Sequence, residues 1–358
     1  MRIIYYSPVY SYLKAHLSKM LSWQDYETLL KQKDLKTNII FLFNKLSVSL
    51  VSVRAIDDLI EERLEHLLKI NLILLFQKIG IFAKGKSIKK FFKLIYMFVD
   101  FYNLKILLRS VTFEQYKYDD IEKYYLMIPN KRYYFHDILR NVDNLGKIFL
   151  FVDRTVFKKI FSKAFIDFDK TKDLEIFEDL MSKEFYKLLS DEADSLFGAD
   201  KRISKEFLEK ICDMENIYTF LRLKFLYNKE FVFIKQKIIN IGSVSNGFLS
   251  SLNDLSFKEA LKKISLQIRW CNFGNTDIFF KNENINVVDI INKIQLIMQA
   301  AMVKYCRKLI NFEKFSIGAP LGFCYLKQIE LNNIIKILIG LKIGFSEEEI
   351  KNNLIILK

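Results

Sequence analysis

Three ten-residue stretches of this chain set the same polar groups at the same spacing. Residues 100–109 read D-F-Y-N-L-K-I-L-L-R, residues 213–222 read D-M-E-N-I-Y-T-F-L-R, and residues 330–339 read E-L-N-N-I-I-K-I-L-I. Each opens on a carboxylate (Asp100, Asp213, Glu330), carries an asparagine three residues on (Asn103, Asn216, Asn333), and continues with Leu or Ile and two further apolar residues. On a helix the carboxylate and the asparagine share one side and border an apolar stripe. A carboxylate that is partly buried there needs a partner, because an unpaired buried charge is costly. Catalysis is the less natural reading. Three equivalent sites have no nucleophile, base or metal ligand beside them, so the pattern points to a packing role shared by three parts of the chain. Arg109 and Arg222 lie nine residues after their carboxylates and so point away from them. Each is expected to meet an acidic side chain or a helix carbonyl end outside its own motif helix. Ile339 stands in the corresponding place of the third copy and is expected to make an apolar contact.

The three copies start about 115 residues apart, far beyond the roughly 20–50 residues of a solenoid repeat. The repeat is domain-sized. It divides the 358 residues into helical modules at 1–113, 114–228 and 229–358. With only 3 Pro and 11 Gly, turn formers are too scarce for a many-stranded β fold, and an all-α fold of long helices is expected. In residues 61–76 the leucines Leu64, Leu67, Leu68, Leu72 and Leu75 form a helical stripe interrupted by Asn71. Residues 173–189 and 287–310 read as further long helices. Ser346 and Glu349 have the spacing of a capping box just after Gly344, which ends the preceding helix. Turn signals fall at Pro129-Asn130-Lys131, at residues 242–247, and at Gly318-Ala319-Pro320 ahead of the third motif.

Other chemistry is absent from the sequence. There is no P-loop for ATP and no G-x-G-x-x-G. His16, His66 and His136 stand alone, with no metal-ligand spacing. The pairs Asp57-Asp58 and Asp119-Asp120 face different directions on a helix and read as solvated surface. Cys212, Cys271, Cys306 and Cys324 form no C-x-x-C pair and read as small buried hydrophobes. No cofactor, metal or small-molecule substrate is expected. No stretch reaches about 18 uncharged apolar residues; the nearest, residues 37–53, contains Lys45. The net charge of +14 fits an acidic partner: nucleic acid, an anionic membrane surface or an acidic protein. A composition rich in lysine along the whole chain accounts for it better, since the lysines are scattered and no block of five or six like charges appears.

The motif residues carry a resemblance. The chain resembles the C subunits of prokaryotic V-type (A-type) ATPases, the counterparts of the d subunit in eukaryotic V-ATPase. The first-module pattern corresponds to Asp100, Asn103, Leu104, Lys105, Leu108 and Arg109, and the second to Asp213, Asn216, Arg222 and Lys224. The C-terminal signature corresponds to Pro320, Tyr325, Lys327, Glu330, Asn333, Ile334, Gly340 and Lys342, followed by Glu348, Ile350 and Leu354. Ile241-Gly242-Ser243-Val244 is similar to the glycine turn opening the third module. Lys336 stands where the family often has Arg. The resemblance implies three modules forming a funnel around a central opening and a non-catalytic rotor adaptor. Such a protein sits on the cytoplasmic face of the membrane rotor ring, receives the central-stalk subunits, and binds neither nucleic acid nor a small-molecule substrate. An anionic membrane surface is a further partner to expect, with positive potential gathered on the rim away from the stalk. The alternative is a basic helical nucleic-acid-binding protein, which would show a basic stripe with aromatics and steeply salt-dependent binding.

Overall fold

A computed structural model describes residues 2–32, 34–46, 61–112, 144–153, 155, 157–171, 173–280 and 286–356. Pro129-Asn130-Lys131, His136, Asp57-Asp58 and Asp119-Asp120 lie outside these. The described residues form helices and no strand, as the scarcity of Gly and Pro requires. None of these helices is long and apolar enough to cross a membrane. The chain divides into two compact units, Met1–Ile148 with Cys306–Lys358, and Phe149–Tyr305.

The first unit contains α1 (Arg2–Leu17), α2 (Trp23–Lys31), α3 (Leu35–Leu46), α4 (Glu61–Phe82) and α5 (Lys86–Thr112). α6 (Leu145–Val152) gives its residues up to Ile148 to this unit and the rest to the second. The second unit holds α7 (Phe157–Thr171), α8 (Leu174–Asp194), α9 (Gly198–Leu221), α10 (Phe231–Lys237), α11 (Asn246–Ser250) and α12 (Phe257–Gln267). α13 (Val287–Phe312) gives its residues up to Tyr305 to the second unit and the rest to the first. α14 (Gly318–Ile343) and α15 (Glu347–Asn352) complete the first unit.

α14 is the axis of the first unit and packs against α1, α2, α3, α4 and α15. It is buried on nearly every side, from Ala319 and Phe323 to Ile337 and Leu338, as a helix that is apolar all round must be. Its close approach to α13 depends on Gly322, where a Cβ would stand 2.6 Å from the Cys306 carbonyl oxygen. Pro320 sits in the first turn of α14 rather than in a turn before it. There its missing N–H would have had no partner in the helix. At the other end Gly344 adopts φ +88 and closes the helix. Ser346 and Glu349 then form the expected capping box on α15.

Of the leucine stripe on α4, Leu68 enters the first unit's core with Leu67 and Leu72 beside it. Asn71 turns its amide onto its own helix, donating to the Leu67 carbonyl at 2.9 Å. The helix expected at 173–189 is α8, capped by the Asp173 carboxylate, and the one expected at 287–310 is α13. In the second unit α7 packs on α8 through phenylalanines, including an edge-on Phe161–Phe177 pair at 5.1 Å. α10 is tied to α8 by Lys237, which reaches Glu175 at 2.5 Å and Asp179 at 2.6 Å. A separate core gathers Ile217, Phe220, Ile234, Val244, Leu261 and Met298.

Candidate functional site: paired carboxylate and asparagine latches

The first motif lies on α5, the second on α9 and the third on α14. In the second unit Asp213 and Asn216 are 2% and 1% exposed. One Asp213 oxygen accepts the Val244 backbone N–H at 2.9 Å, and the other accepts the Ser243 hydroxyl at 2.8 Å. Asn216 accepts the Ile239 backbone N–H at 2.8 Å. Its amide donates to the Ile239 carbonyl at 2.8 Å and to the Val244 carbonyl at 3.1 Å. The two side chains therefore satisfy backbone groups of a loop that no helix or strand satisfies, which a buried loop requires. The loop can come this close because of Gly242. Its φ is +95, and a Cβ there would lie 2.4 Å from the Asp213 oxygen.

The third motif repeats the device in the first unit. Asn333, 1% exposed, accepts the Ile355 backbone N–H at 3.1 Å and donates to the Ile355 carbonyl at 2.7 Å. This anchors the segment after α15 to α14. Glu330 accepts the Leu21 backbone N–H at 2.6 Å, in the turn between α1 and α2. Its second oxygen pairs with the Lys327 ammonium at 2.6 Å, both groups being buried. The Tyr26 phenol lies in the field of this carboxylate. Burial first, and then the Glu330 charge, push its pKa well above the ordinary value.

In the first motif Asn103 is buried and Asp100 half-buried. They border Phe101, Leu104 and Leu108, all within the core. What Asp100 and Asn103 hold falls outside the described contacts, as does the partner of Arg109, which is exposed. The carboxylate–asparagine pairs thus do structural chemistry at two places. They bind main chain, and every lone pair they use is occupied by this protein's own donors.

The family model described as the ATP synthase (C/AC39) subunit matches residues 9–353. The chain belongs to the ATP synthase (C/AC39) subunit family. It is therefore a subunit of an ATP synthase complex of the V/A type, as the motif residues implied. A relative, the C subunit of the A-type ATP synthase of Thermococcus gammatolerans, is 21% identical over 353 residues, covering 97% of this chain and 89% of the relative.

Two expectations for this C/AC39 family member are corrected. Among the described residues Arg222 meets no carboxylate and no helix carbonyl end. Its guanidinium donates to the Tyr227 hydroxyl at 3.1 Å and lies over the rings of Tyr218 at 5.1 Å and Tyr227 at 5.6 Å. The reason is local. α9 runs into a π-helical turn over Arg222–Leu226, closed by the Tyr227 N–H on the Arg222 carbonyl. That turn brings Tyr227 round to the guanidinium, while Tyr218 reaches it from one turn back on α9. The electron-rich faces and the hydroxyl take the place of a carboxylate. Ile339 is 44% exposed and so does not form the expected buried apolar contact; α14 turns its other faces to the surrounding helices.

Sequence reasoning also missed what the latches hold. The spacing placed Asp213 and Asn216 on one side of a helix and singled out the glycine turn at 242, but it did not join them. The signal was available: a glycine needing positive φ, followed by Ser243, about thirty residues after a carboxylate with no sequence-local partner.

Proposed function

We propose that this protein is the non-catalytic rotor adaptor of its complex. It rests on the cytoplasmic face of the membrane rotor ring, receives the central stalk, and passes rotation between the ATP-hydrolysing sector and ion transport. The observation that carries this reading is the family match, which runs over nearly the whole chain at residues 9–353. The latches support it. An adaptor that transmits torque needs its helices and connecting segments to move as one piece, and Asn216 and Asn333 bind connecting segments to their motif helices. The division into modules 1–113, 114–228 and 229–358 around a central opening belongs to the same proposal. Under it, Asp100, Asn103, Asp213, Asn216, Glu330 and Asn333 are structural residues, Arg109, Arg222 and Pro320 shape the ends of the motif helices, and the chain needs no cofactor.

The test is affinity isolation of the tagged chain from detergent-solubilised membranes of its own cells, followed by identification of what accompanies it. Central-stalk and rotor-ring subunits are expected in fixed proportion to the bait. Recovery of the chain with catalytic-sector or peripheral-stalk subunits but without ring or central stalk would overturn the adaptor assignment.

A further inference from the structure

We propose that the corner between α4 and α5 is a docking surface for an anionic lipid membrane. Residues 66–99 contain seven lysines and no aspartate or glutamate. Other residues interrupt them everywhere but at Lys89-Lys90, so no long block of charge announces them in the sequence. The α4–α5 turn brings six of them, Lys78 to Lys93, to the corner. On α5, Lys86, Lys89, Lys90 and Lys93 follow i, i+3, i+4 and i+7 and form one exposed stripe, while Phe91, Phe92 and Leu94 are buried in the core. Lys78 and Lys84, also exposed, flank the end of α4. Among the described residues, Lys78, Lys84, Lys86, Lys89 and Lys93 have no carboxylate partner. On α1, burial first, then the charges of Lys327 and Lys19, and last that of Lys78 hold the His16 imidazole below its ordinary pKa.

This arrangement works against the stability of the helix that carries it. The first turns of a helix favour acidic residues and disfavour cations, and α5 has no acidic residue in its first turn. Like charges three and four residues apart also repel. Among the described residues no carboxylate pairs with Lys78, Lys84, Lys86, Lys89 or Lys93 to offset these costs, so an external anion is the natural complement. The tip of the corner identifies which one. Ile81 is 71% exposed and Phe82 41% exposed, with the Phe82 ring leaning on Tyr12 at 5.1 Å. A large exposed aliphatic side chain between Lys78 and Lys84 suits insertion among lipid headgroups, where apolar burial and attraction to anionic lipid add. A nucleic-acid surface would give Ile81 no burial of this kind.

The inference rests on the adaptor reading only for which membrane the corner meets. Vesicles tested with no other subunit present therefore read the corner itself. If they fail to bind, the adaptor reading stands; if copurification fails, the corner stands. The measurement is co-sedimentation of the full chain with vesicles of phosphatidylcholine alone and of phosphatidylcholine with about one-third phosphatidylglycerol. Each lysine near such a surface is worth about 1 kcal/mol, roughly fivefold in partition. Replacing Lys84, Lys86, Lys89 and Lys93 by Gln is expected to lower binding to the anionic vesicles by roughly a hundredfold or more. A control with Lys201, Lys205, Lys258 and Lys262 replaced by Gln, which removes the same charge from the second unit, is expected to lose no more than a few-fold. Ile81→Gln, at an exposed position that leaves every charge in place, is expected to lose several-fold. Circular dichroism confirms that each variant keeps its helices. Equal binding to neutral and anionic vesicles, equal losses for the two four-lysine variants, or tighter corner-dependent binding to a DNA or RNA duplex than to the vesicles would each overturn the proposal.

Discussion

In the second unit Asp213 and Asn216 hold main chain that follows them by 23 to 31 residues. In the first unit Asn333 holds main chain 22 residues on, but Glu330 holds main chain 309 residues back. The asparagine arm is the same in both. One amide meets the N–H and carbonyl of a single isoleucine, Ile239 or Ile355. The carboxylate arm differs. Asp213 is short, and the loop comes to it through a glycine and offers an N–H and a hydroxyl. Glu330 is one methylene longer and reaches out to a distant turn, with Lys327 held beside it to balance the charge. The asparagine defines the repeated device, then, and the carboxylate adapts it to what lies nearby. For Glu330, what lies nearby includes a segment from the other end of the chain.

The contrast can be broken by substitution, because the two tryptophans of the chain fall one in each unit, Trp23 in the first and Trp270 in the second. Single-tryptophan variants therefore report the unfolding of each unit separately. The largest effect is expected for Lys327→Met. It leaves the Glu330 carboxylate, 3% exposed, without its counter-charge, a loss of about 3–5 kcal/mol. The Trp23 transition should shift and the Trp270 transition should not. A loss below about 1 kcal/mol would mean that Glu330 does not depend on its ion pair.

Gly242→Ala tests the short arm. Left-handed backbone in a residue with a side chain costs about 1–3 kcal/mol, and the added Cβ also displaces the Asp213 carboxylate. A loss of about 3 kcal/mol is expected, confined to the Trp270 transition. Stability unchanged by the alanine would show that the loop does not need its close approach.

Asn216→Ala and Asn333→Ala compare the shared arm directly. A buried backbone group left without a partner costs about 1–3 kcal/mol. Both hold an isoleucine N–H and carbonyl, and Asn216 also holds the Val244 carbonyl, but the Ile239 carbonyl keeps the Ile241 N–H at 2.8 Å when the amide is lost. Each substitution therefore strands two groups, and the two losses should agree within about 1 kcal/mol. A difference above about 2 kcal/mol, read in denaturant titrations of the same single-tryptophan variants, would contradict the equivalence of the two arms.

The smallest effect is expected at Ile339. It is exposed, so Ile339→Ser should change stability by no more than about 0.5 kcal/mol. A loss above about 1.5 kcal/mol in the Trp23 transition would restore the apolar contact that the repeat pattern suggested.

These positions also show what could be read without the fold. Ser346 and Glu349 were legible as a cap because every group involved lies within one helical turn. The helical character of residues 61–76, 173–189 and 287–310 was legible because periodicity is local. The asparagines and carboxylates were legible as a repeated set, because their types and offsets recur. Their partners were not: the Leu21–Glu330 hydrogen bond joins residues 309 positions apart, and no spacing rule links them. Arg222 was misjudged because a π-helical turn changes which residues come round to it. On a regular α-helix Tyr227 would lie five positions on and off its face. The compact units were also not legible from the repeat. The first is built from both ends of the chain, which a division into consecutive modules does not reveal.

The central claim is that this protein transmits rotation between ATP hydrolysis and ion transport. It is tested most directly by measuring ATP hydrolysis and ATP-driven ion uptake together, in membranes from cells lacking the chain and in the same membranes after the purified chain is added back. The account predicts that without the chain the catalytic sector still hydrolyses ATP but leaves the membrane on washing, and that ATP-driven uptake falls to background. Adding the chain back should restore both attachment and uptake. Undiminished ATP-driven uptake in membranes without the chain would contradict it.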